Sequence, residues 1–378
     1  MRKIFHWFEA FFTIIGGVIG LGVLAIPYAL KNIGLTPGTL LILVVAILMI
    51  FLNILFAEII IFTKKDECII AYAKRYLGNW AKKLEFFSIL FGYSGSLLAY
   101  TLAVAVFIRG VLSLDESFFW PIVLVFTMVS VLILVSGFNG LGKLEFLLAV
   151  LMVGLFLFIF ERSYPYAETV RNNWSNIFLP YGVVFFAFTG EATIPIAVKI
   201  LGEEKKKIKN VIIWAYVVVI LMTLLFFFSA IRVGGEQIGP DPFIAMSEKM
   251  GEEILFVGSF LGLLAVVTSH WAIASYLKKI LISDLNFKPN PSLLLVALTP
   301  LVFILLGASN FVHIIGAVGV VAGTIDALII LTIYQKIFSQ KKNKTFFFSK
   351  KVTLIFVWAL FGLLFLAAIS SILSLKVV

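Results

Sequence analysis

Apolar stretches long enough to cross a bilayer recur from one end of the chain to the other, and nothing constrains its fold more. They fall at roughly 7–31, 37–62, 84–113, 120–137, 142–161, 175–200, 207–232, 253–283, 292–306, 311–336 and 352–375. A spanning helix needs about 20 such residues. The chain is 62% hydrophobic and 13% charged, against about 45–50% and about 25% in soluble domains. The expected fold class is therefore all-α integral membrane, with about 11 transmembrane helices. That excludes a soluble enzyme, a secreted disulfide scaffold and a single-anchor receptor. The lone Cys68 cannot form an intrachain disulfide, and His6, His270 and His313 lie too far apart in sequence to offer metal-ligand spacing.

A net charge of +10 raises the question of nucleic acid, but the placement of the charges answers it. Sorted by alternate sides of eleven spans, 23 of the 30 Lys and Arg fall on the side of the N-terminus, in runs such as Lys64 to Lys83, Lys199 to Lys209 and Lys336 to Lys351. Cationic loops stay cytoplasmic. The N-terminus is expected inside, the C-terminus outside, in the cell membrane. The surplus is a topology signal that anionic lipid can reinforce, and nucleic acid binding is not expected. The first apolar stretch is Gly-rich and lacks a small-x-small cleavage site, so it reads as a retained span. The sequon at Asn173 reads as a chance match. Residues 63–83, with Tyr72, Tyr76 and Trp80, read as an interfacial amphipathic helix.

Two spans look broken. The first carries Gly16, Gly17, Gly20 and Gly22 ahead of Pro27, a poor recipe for continuous helix. The plain alternative is close helix packing through small residues. The sixth runs Phe186, Ala187, Phe188, Thr189, Gly190, Glu191, and then reaches Pro195. Residues Ala25 to Lys31 and Thr193 to Lys199 share four identities in seven. Five spans apart is an odd number, so the two copies cross the membrane in opposite directions. Interrupted helices at matching positions of inverted halves point to a transporter's substrate site. Each break frees backbone N–H groups at the start of one half-helix and carbonyls at the end of the other. The first can hold a carboxylate and the second an ammonium or metal cation, which together suit a zwitterionic amino acid.

Gly16 to Pro27 resembles the first-helix signature of the amino acid/auxin permeases, closest to the hydroxy and aromatic amino acid permease branch. Thr268 and Ser269, with Ala274 to Leu277 and Asp284-Leu285 downstream, resemble that branch's eighth helix. Phe186 to Gly190 resembles the sixth-helix break of the wider amino acid–polyamine–organocation superfamily. The chain departs from the branch at Thr189-Gly190-Glu191, where His-Gly-Ser is usual. The resemblance implies a single membrane transport domain of two inverted five-helix repeats, 1–161 and 175–336, with broken helices one and six and a peripheral helix over 352–375. It implies substrate contacts at Gly17, Gly20, Leu21, Gly22, Tyr93, Phe186, Phe188, Thr189, Gly190 and Glu191. A cation site common in this fold would use Ile15, Val18, Ala265, Thr268 and Ser269. Oxygen ligands suit a hard cation; the alternative is that the two hydroxyls bond back to their own helix.

Charged groups at membrane depth are costly and default to functional candidates. Glu191 could bind the substrate amine, carry a proton or cap freed N–H groups. Asp326 and His270 are the other candidate proton carriers, each with a packing or hydrogen-bonding alternative. Glu58 and Glu145 read as partners of Lys64 and Lys143. On the third span Tyr93, Ser96, Leu97 and Tyr100 share a face. The expected function is secondary active import of a neutral amino acid, aromatic or hydroxy in class, by alternating access. The coupling ion is H⁺ ahead of Na⁺, and no other cofactor or obligate protein partner is expected. Some proton-coupled superfamily members place a lysine on the fifth helix, and Phe146 to Phe160 has none. A permease-fold amino acid sensor and a membrane-embedded enzyme are the other classes; the latter lacks a nucleophile–base pair or metal cluster.

Overall fold

The computed structural model describes residues 2–63, 69–136, 141–168, 170–285, 287–338, 358 and 362. Regular structure among these residues is helical. Arg2–Val18 (α1) and Leu21–Leu30 (α2) fill the first apolar window and are bent by 46° at Ile19 and Gly20. Leu35–Thr63 (α3), Ile69–Leu77 (α4), Asn79–Leu112 (α5), Phe119–Ser136 (α6) and Leu141–Arg162 (α7) follow. The sixth window holds Tyr181–Ala187 (α8) and Ile194–Leu201 (α9), separated by an irregular stretch and a single 3-10 turn at Glu191–Thr193. Ile208–Gly234 (α10), Pro242–Met250 (α11), Glu252–Leu285 (α12), Pro289–Leu305 (α13) and Phe311–Phe338 (α14) complete the described fold. Each of the first ten windows thus holds one helix or one broken pair. The eleventh, 352–375, lies outside the described residues apart from Trp358 and Gly362, as do Lys64 and the lysines from Lys341 to Lys351.

Helix choice follows burial in an apolar solvent, where each backbone polar group must be satisfied within its own segment. Lipid-facing sides are apolar: Leu124, Val125, Met128, Leu132 and Val135 stand exposed on α6, and Leu294, Leu298, Val302 and Leu305 on α13. Inside, α5 packs along α12 and α14, α3 lies on α10, and α14 lies on α8. A Cβ at Gly319 of α14 would run into the backbone carbonyl of Gly182 on α8, so this pair meets backbone to backbone as small residues allow. The two broken spans lie side by side, α1 against α9 and α2 against α8, the antiparallel pairing expected of inverted halves.

Two local readings change. The segment read as one interfacial helix over 63–83 is divided: Tyr72 of α4 is buried with its ring edge-on to Phe56, whereas Trp80 opens α5 and is exposed. The polar stretch at 233–253 contains a further helix, α11. Asp241 is its N-cap, accepting from Phe243 N at 2.9 Å and from the Ser259 hydroxyl at 3.0 Å, and Pro242 stands in the first turn. Both are helix-start signals.

Burial pushes the Asp241 carboxyl up from the usual 3.8 to about 6, against the pull of its hydrogen bonds. The folded state therefore holds its proton to higher pH than the unfolded state. Its contribution to stability is complete below about 4 and is lost as pH rises through about 6. The loss is at most about 3 kcal/mol, at 1.36 kcal/mol per pH unit. Thermal melts in detergent at pH 5 and pH 7 should show the wild type losing more stability on the alkaline side than Asp241→Asn, which keeps a capping oxygen. Parallel losses in both proteins would remove this account.

Candidate functional site

The break in the first span ends α1 at Val18 and starts α2 at Leu21. Gly20 caps α2 in an extended conformation, and no side chain fills the cap. The first N–H groups of a helix have no partner within it, so α2 presents donors at Leu21 and Gly22 toward the break. A Cβ on Gly20 would meet no atom within 4 Å. Gly22 is different: its Cβ would sit 2.5 Å from the Ala187 Cα and 2.9 Å from its Cβ. A Cβ on Gly17 would collide with the Thr193 methyl. The glycines at 17 and 22 thus bring the two broken spans into contact, while Gly20 borders open space.

On the sixth span the carbonyl end of α8 faces the break. Phe186 O accepts from Thr189 N at 3.2 Å and from the Thr189 hydroxyl at 2.6 Å. Gly190 O accepts from Thr193 N at 3.0 Å and from its hydroxyl at 2.7 Å. Glu191 opens the single 3-10 turn that leads into α9, and neither that turn nor α9 carries a side-chain cap. Phe188 is fully buried and Phe186 half-buried. Tyr93 of α5 is half-buried, edge-on to Tyr276 of α12 at 5.5 Å, and lies within electrostatic reach of Glu191, Asp326 and Glu85. From the same α5 face Leu97 and Tyr100 are buried, and Ser96 bonds back to Gly92 O.

A small cavity opens where the first, fifth and eighth spans meet. Gly16 and Ile19 line it from the first span, Leu148, Ala149 and Met152 from α7, and Ala265, Thr268 and Ser269 from α12. It is close to the smallest space that holds one water-sized occupant. Three of the five residues expected at a cation site are in this lining. Ile15 lies one residue away from it, with its carbonyl accepting Ile19 N at 2.9 Å, and Val18 points its side chain toward Gly190. The Thr268 hydroxyl bonds back to Leu264 O at 3.1 Å and Ala265 O at 3.0 Å. Donating that proton leaves the oxygen lone pairs free for a cation.

The remaining ionisable candidates separate. His270 is buried edge-on to Phe126 at 4.8 Å, its Nδ1 without a hydrogen-bond partner. Asp326 on α14 takes the Ser88 hydroxyl at 2.5 Å and lies within electrostatic reach of Glu191. Glu58 is fully buried and accepts the Tyr334 hydroxyl at 2.9 Å. Lys64, its expected partner, lies outside the described residues, as do the side chains of Lys143 and Glu145. Sequence reasoning missed Ser88, Glu85 and Asn53; polar residues inside apolar windows were the available signal.

A family model described as "Transmembrane amino acid transporter protein" matches residues 5–375. The chain belongs to that family. No curated protein matches it. Among solved structures it is similar to the crystal structure of MhsT in complex with L-phenylalanine, with a TM-score of 0.67 at 13% identity, covering 97% of this chain and 98% of that one. An identity that low carries the fold alone, and the fold is the inverted-repeat one with broken helices. As a member of the transmembrane amino acid transporter family the chain is a multi-pass membrane protein that moves amino acids, a transporter rather than an enzyme.

Proposed function

We propose that the chain is a secondary active symporter that imports a neutral amino acid, aromatic or hydroxy in class, with protons as the driving ion. The observation that carries the reading is the uncapped N-terminus of α2 at Leu21 and Gly22, lying beside the carbonyl end of α8. The carboxylate would rest on those N–H groups, and the amine would face the segment from Phe186 to Gly190. MhsT, similar in fold, was crystallised with L-phenylalanine, which agrees with an aromatic substrate. Protons are favoured by the resemblance to the hydroxy and aromatic branch and by Glu191, His270 and Asp326 within the described bundle. The basic loops put the N-terminus in the cytoplasm. The repeats are taken as 1–161 and 175–336.

Sodium is the second reading, and the cavity at Thr268 and Ser269 is the observation that favours it. Purified protein in proteoliposomes, offered a panel of labelled amino acids under an imposed cation gradient, is expected to accumulate at least one neutral amino acid saturably. Failure to accumulate any of them above empty vesicles would sink the symporter reading.

A further inference from the structure

One carbonyl freed at the sixth-span break is met by a side chain from elsewhere in the fold. In an unbroken helix the Phe188 carbonyl would accept the N–H four residues on. Here it accepts the Tyr216 hydroxyl of α10 at 2.8 Å. The Tyr216 oxygen in turn accepts Asn53 Nδ2 of α3, also at 2.8 Å. The second amide hydrogen of Asn53 goes to Met49 O at 2.9 Å. Tyr216 is fully buried and Asn53 is 1% exposed. Each donor in this relay has an acceptor, so the direction is set: amide to phenol, phenol to carbonyl.

The surroundings are shaped to hold the phenol there. A Cβ on Gly190 would stand 2.8 Å from the Tyr216 oxygen and 2.8 Å from the Val18 side chain. The glycine at the break thus makes room for the hydroxyl. An asparagine in the middle of α3 and a phenol inside α10 are costly unless satisfied, and α3 and α10 need neither for their own backbone hydrogen bonds. What the pair supports is the one segment that has lost its helical bonds.

We infer that Tyr216 and Asn53 are positioning residues for substrate. They hold the Phe188 carbonyl, and through it the unwound segment from Phe188 to Gly190, in the shape that presents its groups to the substrate amine. Neither residue touches substrate. The inference rests on the amino acid transport reading for its consequence in affinity, and on the relay alone for its consequence in local order.

Tyr216→Phe keeps the ring and removes only the hydroxyl, leaving the Phe188 carbonyl and one Asn53 donor buried and unpaired. The amides of Thr189 and Thr193 are expected to exchange hydrogen for deuterium about tenfold faster in detergent-solubilised Tyr216→Phe than in the wild type, with other helices unchanged. In proteoliposomes KM should rise about tenfold with kcat changed much less, the pattern of a lost binding geometry. Asn53→Ala should act in the same direction and add little on top of Tyr216→Phe, because it works through the same phenol. Unchanged exchange at Thr189 and Thr193 overturns the inference, and so does acceleration spread over the whole protein, which marks a purely structural loss. Local acceleration with an unchanged KM also overturns it. Wild-type vesicles that transport no amino acid would instead remove the transport reading, and the exchange comparison would still decide the relay.

Discussion

Gly22→Val should leave little folded protein in the membrane, whereas Gly20→Val should fold and lose at least about tenfold in uptake. The two glycines are two residues apart and share the first-span break. A Cβ on Gly22 would be 2.5 Å from the Ala187 Cα and 3.0 Å from its backbone nitrogen. Backbone cannot turn aside as a flexible side chain can, so α2 and α8 would have to separate. Overpacking typically costs about 1–3 kcal/mol when side chains can adjust, and here the obstacle is main chain. At Gly20 the φ of −157° is open to any residue, and the space a Cβ would enter is empty to 4 Å. That space is where the carboxylate would sit against the N-terminus of α2. Membrane expression and detergent melts separate the folding effect from the uptake effect. A Gly22→Val protein that melts like the wild type would show that the two spans do not meet as described. A Gly20→Val protein with normal uptake would take the substrate away from the α2 terminus.

The broken spans were legible before any coordinates because both carry chemistry that helices reject. Four glycines within Gly16 to Gly22, and Gly190 shortly before Pro195, give the chain leave to unwind at matching places. The apolar windows were legible for a related reason: in hydrocarbon the backbone has few options, and composition alone selects helix. What could not be read were pairings set by tertiary packing. Asn53 and Tyr216 are 163 residues apart, and Ser88 and Asp326 are 238 apart. An asparagine in an apolar window announces that it has a partner but not which one. Glu58 illustrates the same limit in the other direction. Its carboxylate accepts the hydroxyl of Tyr334, 276 residues away, a partner no local spacing announces, while the expected Lys64 lies outside the described residues. Helix α11 was hidden because it is short, nine residues inside a stretch read as polar loop, although Asp241-Pro242 is a capping signal that propensity reasoning could have used.

Uptake should persist in sodium-free buffer, rise with an inward pH gradient and collapse with a protonophore. A neutral substrate carried with one proton moves charge, so accumulation should also follow membrane potential, at about 2.3 kcal/mol per charge per 100 mV. The cavity among α1, α7 and α12 makes this a demanding test. Its α7 wall is Leu148, Ala149 and Met152, so no lysine stands there in place of a cation, and that favours a real ion. Its polar wall is Thr268 and Ser269, and the Thr268 hydroxyl is turned back to Leu264 and Ala265. That oxygen keeps its lone pairs for a cation, with Ser269 in the same lining, a small ligand set where a hard cation takes several oxygens. Protons need no such shell; the groups proposed to hold them are Glu191, His270 and Asp326. If sodium binds instead, substrate affinity will depend on sodium at constant pH, and Thr268→Val will abolish that dependence. A strict sodium requirement without any response to a pH gradient overturns the proton assignment while leaving the cavity as the coupling site. Normal ion dependence in a folded Thr268→Val, Ser269→Ala double variant removes the cavity from the coupling mechanism altogether.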